Sequence, residues 1–121
     1  GRGFLTGQVR SLDELAEDDF RRVVPRFQGD NLEANIAIVE RVDAIAEEKG
    51  VTSAQLALGW VHSRGDDVFS IPGTKRRSYL EQNAAGFDVE LTADEIAQLE
   101  RAVDDVAGGR YTEAALESIE T

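Results

Sequence analysis

The sequence contains no cysteine and no methionine. Without thiols there is no disulfide framework, which fits a reducing compartment such as the cytoplasm. Positive charge is also scarce: 13 Lys and Arg stand against 24 Asp and Glu, a formal net charge of −11. The mean field of such a chain repels phosphate backbones and anionic lipid surfaces, so no nucleic acid and no membrane is expected as a partner. No apolar run approaches the roughly 18 residues that span a bilayer, and no charged start with an apolar core marks a secretory signal. The expected class is soluble, globular and cytoplasmic. An initiator methionine is missing too. The opening Gly1-Arg2-Gly3-Phe4-Leu5-Thr6-Gly7 reads like the middle of a loop, so a truncated start is expected.

What is present is ordinary for a globular chain: 41% hydrophobic and 31% charged residues in 121 positions, about one small domain. Ser11-Leu12-Asp13-Glu14 is a capping-box pattern that predicts a short helix over about 12–19. Positions 23–30, with Pro25 and Gly29, read as loop. Leu32, Ile36, Val39, Val42 and Ile45 recur at three- and four-residue steps and predict a long helix over 31–49, ended by Gly50. Thr52-Ser53-Ala54-Gln55 starts another, with Leu56, Ala57, Trp60 and Val61 on one face and an end near Gly65. A helix from about Arg77 to Gly86 follows. Thr92-Ala93-Asp94-Glu95 then caps a last one, with Ile96, Leu99, Val103 and Val106 inward and Gly108-Gly109 as its stop. The tail, 110–121, is polar enough to be loosely held.

Val68-Phe69-Ser70-Ile71 differs from all of these. This short apolar run between Asp66-Asp67 and Pro72-Gly73 has the pattern of a buried strand. One such strand among four helices of useful length has nothing to pair with, and its unsatisfied backbone groups would cost roughly 1 to 3 kcal/mol each. A parallel sheet or (β/α) barrel, with the other strands elsewhere in a longer chain, is the α/β architecture in which this arrangement is normal.

Lys75, Arg76 and Arg77 sit together directly after that run, in a chain otherwise strongly acidic. By itself such a run is commonly a solvated face. At a strand-to-helix junction, however, free backbone N–H groups and the positive end of the helix dipole favour an anion. Gly73 lets a ligand approach the backbone, Thr74 offers a hydroxyl, and the cations can form charge-assisted bonds to a phosphate.

Ile71-Pro72-Gly73-Thr74-Lys75-Arg76 followed by Leu80-Glu81-Gln82-Asn83 resembles the last strand and last barrel helix of aldo-keto reductases. The opening Gly1-Arg2-Gly3-Phe4-Leu5-Thr6-Gly7 is similar to that family's loop after its seventh strand, and Thr52 through Trp60 to its Thr-x-Ala-Gln-Leu-Ala-Leu-x-Trp helix. Three ordered blocks cover nearly the whole chain, with the nearest likeness among bacterial reductases. The resemblance implies the C-terminal part of a (β/α)8 TIM barrel, mostly helical in this portion. It implies an oxidoreductase that reduces a small aldehyde or ketone to an alcohol with NADPH. Gly1, Arg2, Gly3, Phe4 and Leu5 would lie along the cofactor pyrophosphate. Gly73, Thr74 and Lys75, helped by Arg76 or Arg77, would surround the 2′-phosphate and favour NADP over NAD. Gln82 and Asn83 would hydrogen-bond the adenine. Gln82 replaces the more usual Glu, and Tyr79 stands where many relatives place an Arg.

The family's catalytic Tyr, Lys, His and Asp lie on earlier strands and have no match here, so no residue of this chain is assigned a catalytic role. Alone, the chain is expected to be inactive and poorly folded, because its helices would expose faces that normally cover a barrel. His62 is read as a surface or packing residue, Tyr111 as a packing residue, and Trp60 as a core anchor. The acidic cluster of Asp13, Glu14, Glu17, Asp18 and Asp19 has no metal-ligand spacing and reads as a solvated face. Two rivals remain open: a non-catalytic NADP(H)-binding regulatory subunit of the same fold, and a small helical module that uses Lys75, Arg76 and Arg77 to hold an acidic partner.

Overall fold

A computed structural model of the chain describes residues 1–119. Among these residues there are five α-helices: α1 Gly29–Lys49, α2 Ser53–His62, α3 Arg77–Ala85, α4 Ala93–Val103 and α5 Glu113–Ile119. Short 3-10 turns punctuate the first 27 residues and follow α3 at Gly86–Asp88.

The helix starts that the sequence marks most clearly form as local chemistry dictates. Thr52 and Thr92 each accept the backbone N–H three residues on, and Gln55 and Glu95 each reach back to the cap. Each reciprocal pair satisfies two N–H groups that a helix start otherwise leaves without partners. α1 ends at Gly50, which takes φ 73°, while the Val51 N–H closes back on Ala46 (3.0 Å). A residue with a Cβ would be strained at that left-handed position.

The 21 residues of α1 make it about 31 Å long at 1.5 Å per residue, enough to span two apolar clusters. Near its start, Leu32 packs with Val9, Leu15, Val24 and Phe27, and Phe4 meets Phe27 edge-on at 5.1 Å. Near its end, Val42 and Ala46 pack with Leu56 of α2, which is fully buried, and Leu99 of α4. The buried stripe departs slightly from the expected one: Ile38 and Ala46 are buried, whereas Ile36 and Ile45 are half-buried. Helix periodicity locates a face, but the neighbouring elements choose which residues of that face become central.

Three expectations are corrected. Ser11 and Glu14 do form their capping box, yet the helix expected over 12–19 is only the 3-10 turn Leu12–Glu14. The Arg22 side chain donates to the carbonyls of Leu12, Leu15 and Ala16, each at 2.9 Å, so these acceptors serve a guanidinium and not a growing helix. The tail, expected to be loosely held, contains the short helix α5, which the sequence reading did not foresee and which buries no residue, and positions 120 and 121 lie outside the described residues. Most consequential, the run 68–71 belongs to no regular element, and no strand occurs among the described residues. Phe69 is 81% exposed and Ile71 96%. A strand exists by its ladder partners, and nothing within the described residues offers them.

Candidate functional site

The run 68–71 leads into a loop shaped by one side chain. The Arg76 N–H donates to Thr74 Oγ1 (3.2 Å), and the same hydroxyl donates to the Arg76 carbonyl (3.1 Å). This local ring hands the chain into α3. Unlike α2 and α4, α3 starts without a side-chain cap: Arg76 occupies the cap position and carries no acceptor. Its first N–H groups therefore have no acceptor from a capping side chain, at the electropositive end of the helix.

Lys75, Arg76 and Arg77 are all exposed around that end. The Arg76 guanidinium lies 5.5 Å from the centre of the Tyr79 ring, and Arg77 Nε donates to Glu81 (2.8 Å) one turn further on. Such an exposed i,i+4 pair is worth only about 0.3 to 0.5 kcal/mol and yields readily to a stronger anion. Lys75 has no hydrogen-bond or ion-pair partner among the described residues. Beside Gly73, a Cβ would meet nothing within 4 Å, so its backbone is open to approach.

The opening loop lines a cleft together with this segment. Arg2 (φ 55°) and Gly3 (φ 79°) both adopt left-handed backbone, the Phe4 N–H donates to the Gly1 carbonyl (2.9 Å), and a 3-10 turn Phe4–Thr6 follows. The cleft, of about 730 Å³, is lined by Gly1, Arg2, Gly3 and Leu5 of that loop together with Gly73 and Asn83. Residues of α1, α2 and α4, among them Val42, Trp60 and Leu99, also line it. Six of the residues singled out from the sequence thus share one cleft, although up to 82 positions of chain divide them.

The remaining ones lie around it. Thr74, Lys75, Arg76 and Arg77 are exposed at the start of α3, and Gln82 is exposed with its carbonyl bonded to Gln55 Nε2 (3.2 Å). Phe4 turns away from the cleft and into the first apolar cluster. His62 packs as expected: it stacks on Phe87 at 3.9 Å and its Nε2 meets the Ser70 hydroxyl at 2.7 Å. The Trp60 indole lies in the second cluster, with Nε1 buried and unpartnered. Among the described residues no group of three or more His, Asp or Glu is placed to hold a metal ion.

Two features escaped sequence reasoning. Asn35 sits on the buried face of α1 and bonds to the backbone of Arg26 and Ala107. A polar residue inside an apolar helical stripe was the available signal. Arg2 makes side-chain contacts with Phe20, Arg110 and Tyr111, for which no local pattern exists.

Residues 1–104 match the model of the Aldo/keto reductase family. The chain belongs to that family. It is similar to Aldo-keto reductase yakc of Schizosaccharomyces pombe, whose name carries NADP(+), with 42% identity over 95% of this chain and 34% of that protein. It is also similar to Aldo-keto reductase str7 of Strobilurus tenacellus, with 36% identity over 87% of this chain and 31% of that protein. The chain thus spans about a third of the length of these curated relatives. No solved structure matches it.

Proposed function

We propose that this chain is the C-terminal part of a (β/α)8 barrel and supplies the NADP(H)-holding side of an oxidoreductase that reduces a small aldehyde or ketone. The observation that carries the reading is the cleft between the 1–5 loop and the Gly73–Asn83 pair, flanked by three exposed cations at an uncapped helix start. The S. pombe relative's name supports the choice of cofactor.

The donor set suits the group. Lys75, Arg76 and Arg77 hold the 2′-phosphate with the first N–H groups of α3, since a compact dianion is what a helix start and cations accept together. Backbone N–H groups of the 1–5 loop lie along the pyrophosphate. Gln82 and Asn83 bond the adenine edge, where an amide can both accept and donate. The bound cofactor supplies the hydride. The residues of this chain bind and orient it, and no proton donor is assigned among them, because the family's Tyr, Lys, His and Asp have no match in this sequence. The lack of cysteine suits a cytoplasmic setting, and no described helix is long and apolar enough to cross a membrane.

Calorimetric titration of the protein with NADPH and with NADH tests this. Lys75→Ala removes a charge-assisted contact worth about 1.5 to 3 kcal/mol, so NADPH should weaken by roughly tenfold or more while NADH hardly changes. Equal affinity for the two cofactors in the unmodified protein, or an equal loss for both in the variant, would sink the reading.

A further inference from the structure

Arg2 is the one residue other than glycine with positive φ among the described residues, at 55°. For a side chain with a Cβ this left-handed backbone costs roughly 1 to 2 kcal/mol and persists where surrounding contacts over-determine it. Those contacts are all present. Arg21 Nη1 donates to the Arg2 carbonyl (3.2 Å), and Arg21 is itself fixed by Asp19, whose carboxylate accepts from Nε (2.9 Å) and Nη2 (2.6 Å). The Arg2 guanidinium lies 4.7 Å from the Tyr111 ring centre and 5.2 Å from that of Phe20. Its Nη1 also donates to the Arg110 carbonyl (3.0 Å).

From this arrangement we infer that Tyr111, with Phe20 as the second ring, is a positioning residue that holds Arg2 and so presets the 1–5 loop for the cofactor pyrophosphate. The inference rests on the cofactor reading above and adds the device that shapes the loop. A planar guanidinium suits this role, since it can lie against aromatic faces while its edge donates hydrogen bonds. Each ring contributes on the order of 0.5 to 1 kcal/mol at a partly exposed site, comparable to the backbone strain at Arg2. Loss of one ring therefore lets Arg2 relax, and the loop must be reordered each time the cofactor binds. The pyrophosphate is common to NADPH and NADH, so this device acts on both alike and leaves discrimination to Lys75, Arg76 and Arg77.

The test compares Tyr111→Leu, Tyr111→Phe and Phe20→Leu in the protein by calorimetry with NADPH and NADH, and by the rate of tryptic cleavage after Arg110. Tyr111→Leu should weaken both cofactors about two- to fivefold with their ratio unchanged, and speed the cleavage by a similar factor, as loss of one ring contact implies. Tyr111→Phe should restore both, and Phe20→Leu should repeat the uniform loss, which keeps the idea testable if Tyr111→Leu fails to fold. The inference is overturned if Tyr111→Leu leaves affinity within twofold, if Tyr111→Phe is as damaging, or if the ratio shifts. Failure of the cofactor reading looks different: NADPH and NADH then bind alike in the unmodified protein, while the proteolysis still reports on the contact with Arg2.

Discussion

Asn35 offers the sharpest test of how the first turns, α1 and the segment after α4 are joined. Its side chain is 2% exposed on the inner face of α1. Nδ2 donates to the carbonyls of Arg26 (3.0 Å) and Ala107 (2.8 Å), while Oδ1 accepts the Ala107 N–H (2.9 Å). One amide thus holds two irregular segments whose backbone groups have no ladder or helix to serve them. Asn35→Ala removes three hydrogen bonds at about 1 kcal/mol net apiece, so the expected loss is about 3 kcal/mol. At about 3 to 5 °C per kcal/mol for a chain of this size, the melting midpoint should fall by roughly 10 °C or slightly more. Urea denaturation followed by circular dichroism measures the loss, and amide exchange at Ala107 localises it. Asn35→Leu restores the volume without the bonds and should be nearly as damaging. Asn35→Asp keeps the acceptor but points a carboxylate at two carbonyls, and should be no better. A loss below about 1 kcal/mol for Asn35→Ala, or an Ala107 amide that stays protected in it, would refute the assignment.

Gly59 on α2 should resist replacement for a different reason. A Cβ there would lie 2.9 Å from the Val89 side chain and 3.0 Å from its carbonyl. Overpacking of this kind costs about 1 to 3 kcal/mol, against about 1 kcal/mol that alanine gains in a helix. Gly59→Ala should therefore lower stability by roughly 1 kcal/mol in urea titrations, and a variant more stable than the parent would exclude the close approach. Acid should loosen the first turns, because hydrogen bonds from Arg21 hold the Asp19 carboxyl at about 2 against an ordinary 3.8. A depressed carboxylate stabilises the fold above its unfolded pKa and loses that contribution as pH falls through the folded one. The urea midpoints of the parent and Asp19→Asn should thus differ at neutral pH and converge between 3.8 and about 2. A constant gap across that window would show that the ion pair does not carry the effect. Glu95 shifts in the same direction, through Lys49 first and then the Thr92 N–H, and joins α4 to the end of α1.

Sequence alone determined what closes within a few residues. The boxes at Ser11, Thr52 and Thr92, the stop at Gly50 and the span of α1 all rest on hydrogen bonds between near neighbours, so a local pattern suffices. The basic run beside Gly73 and Thr74 was legible for the same reason, as were the motifs that resemble the family to which the chain belongs. Tertiary structure decided the rest. Whether 68–71 becomes a strand depends on partners outside the segment, and here Phe69 and Ile71 face solvent. The choice of Ile38 over Ile36 as a buried residue depends on which neighbours pack against α1. The bond from Arg2 to Arg110 spans 108 positions, and the cleft joins Gly3 to Asn83. No periodicity or cap encodes such meetings, because they exist only once the intervening helices have packed.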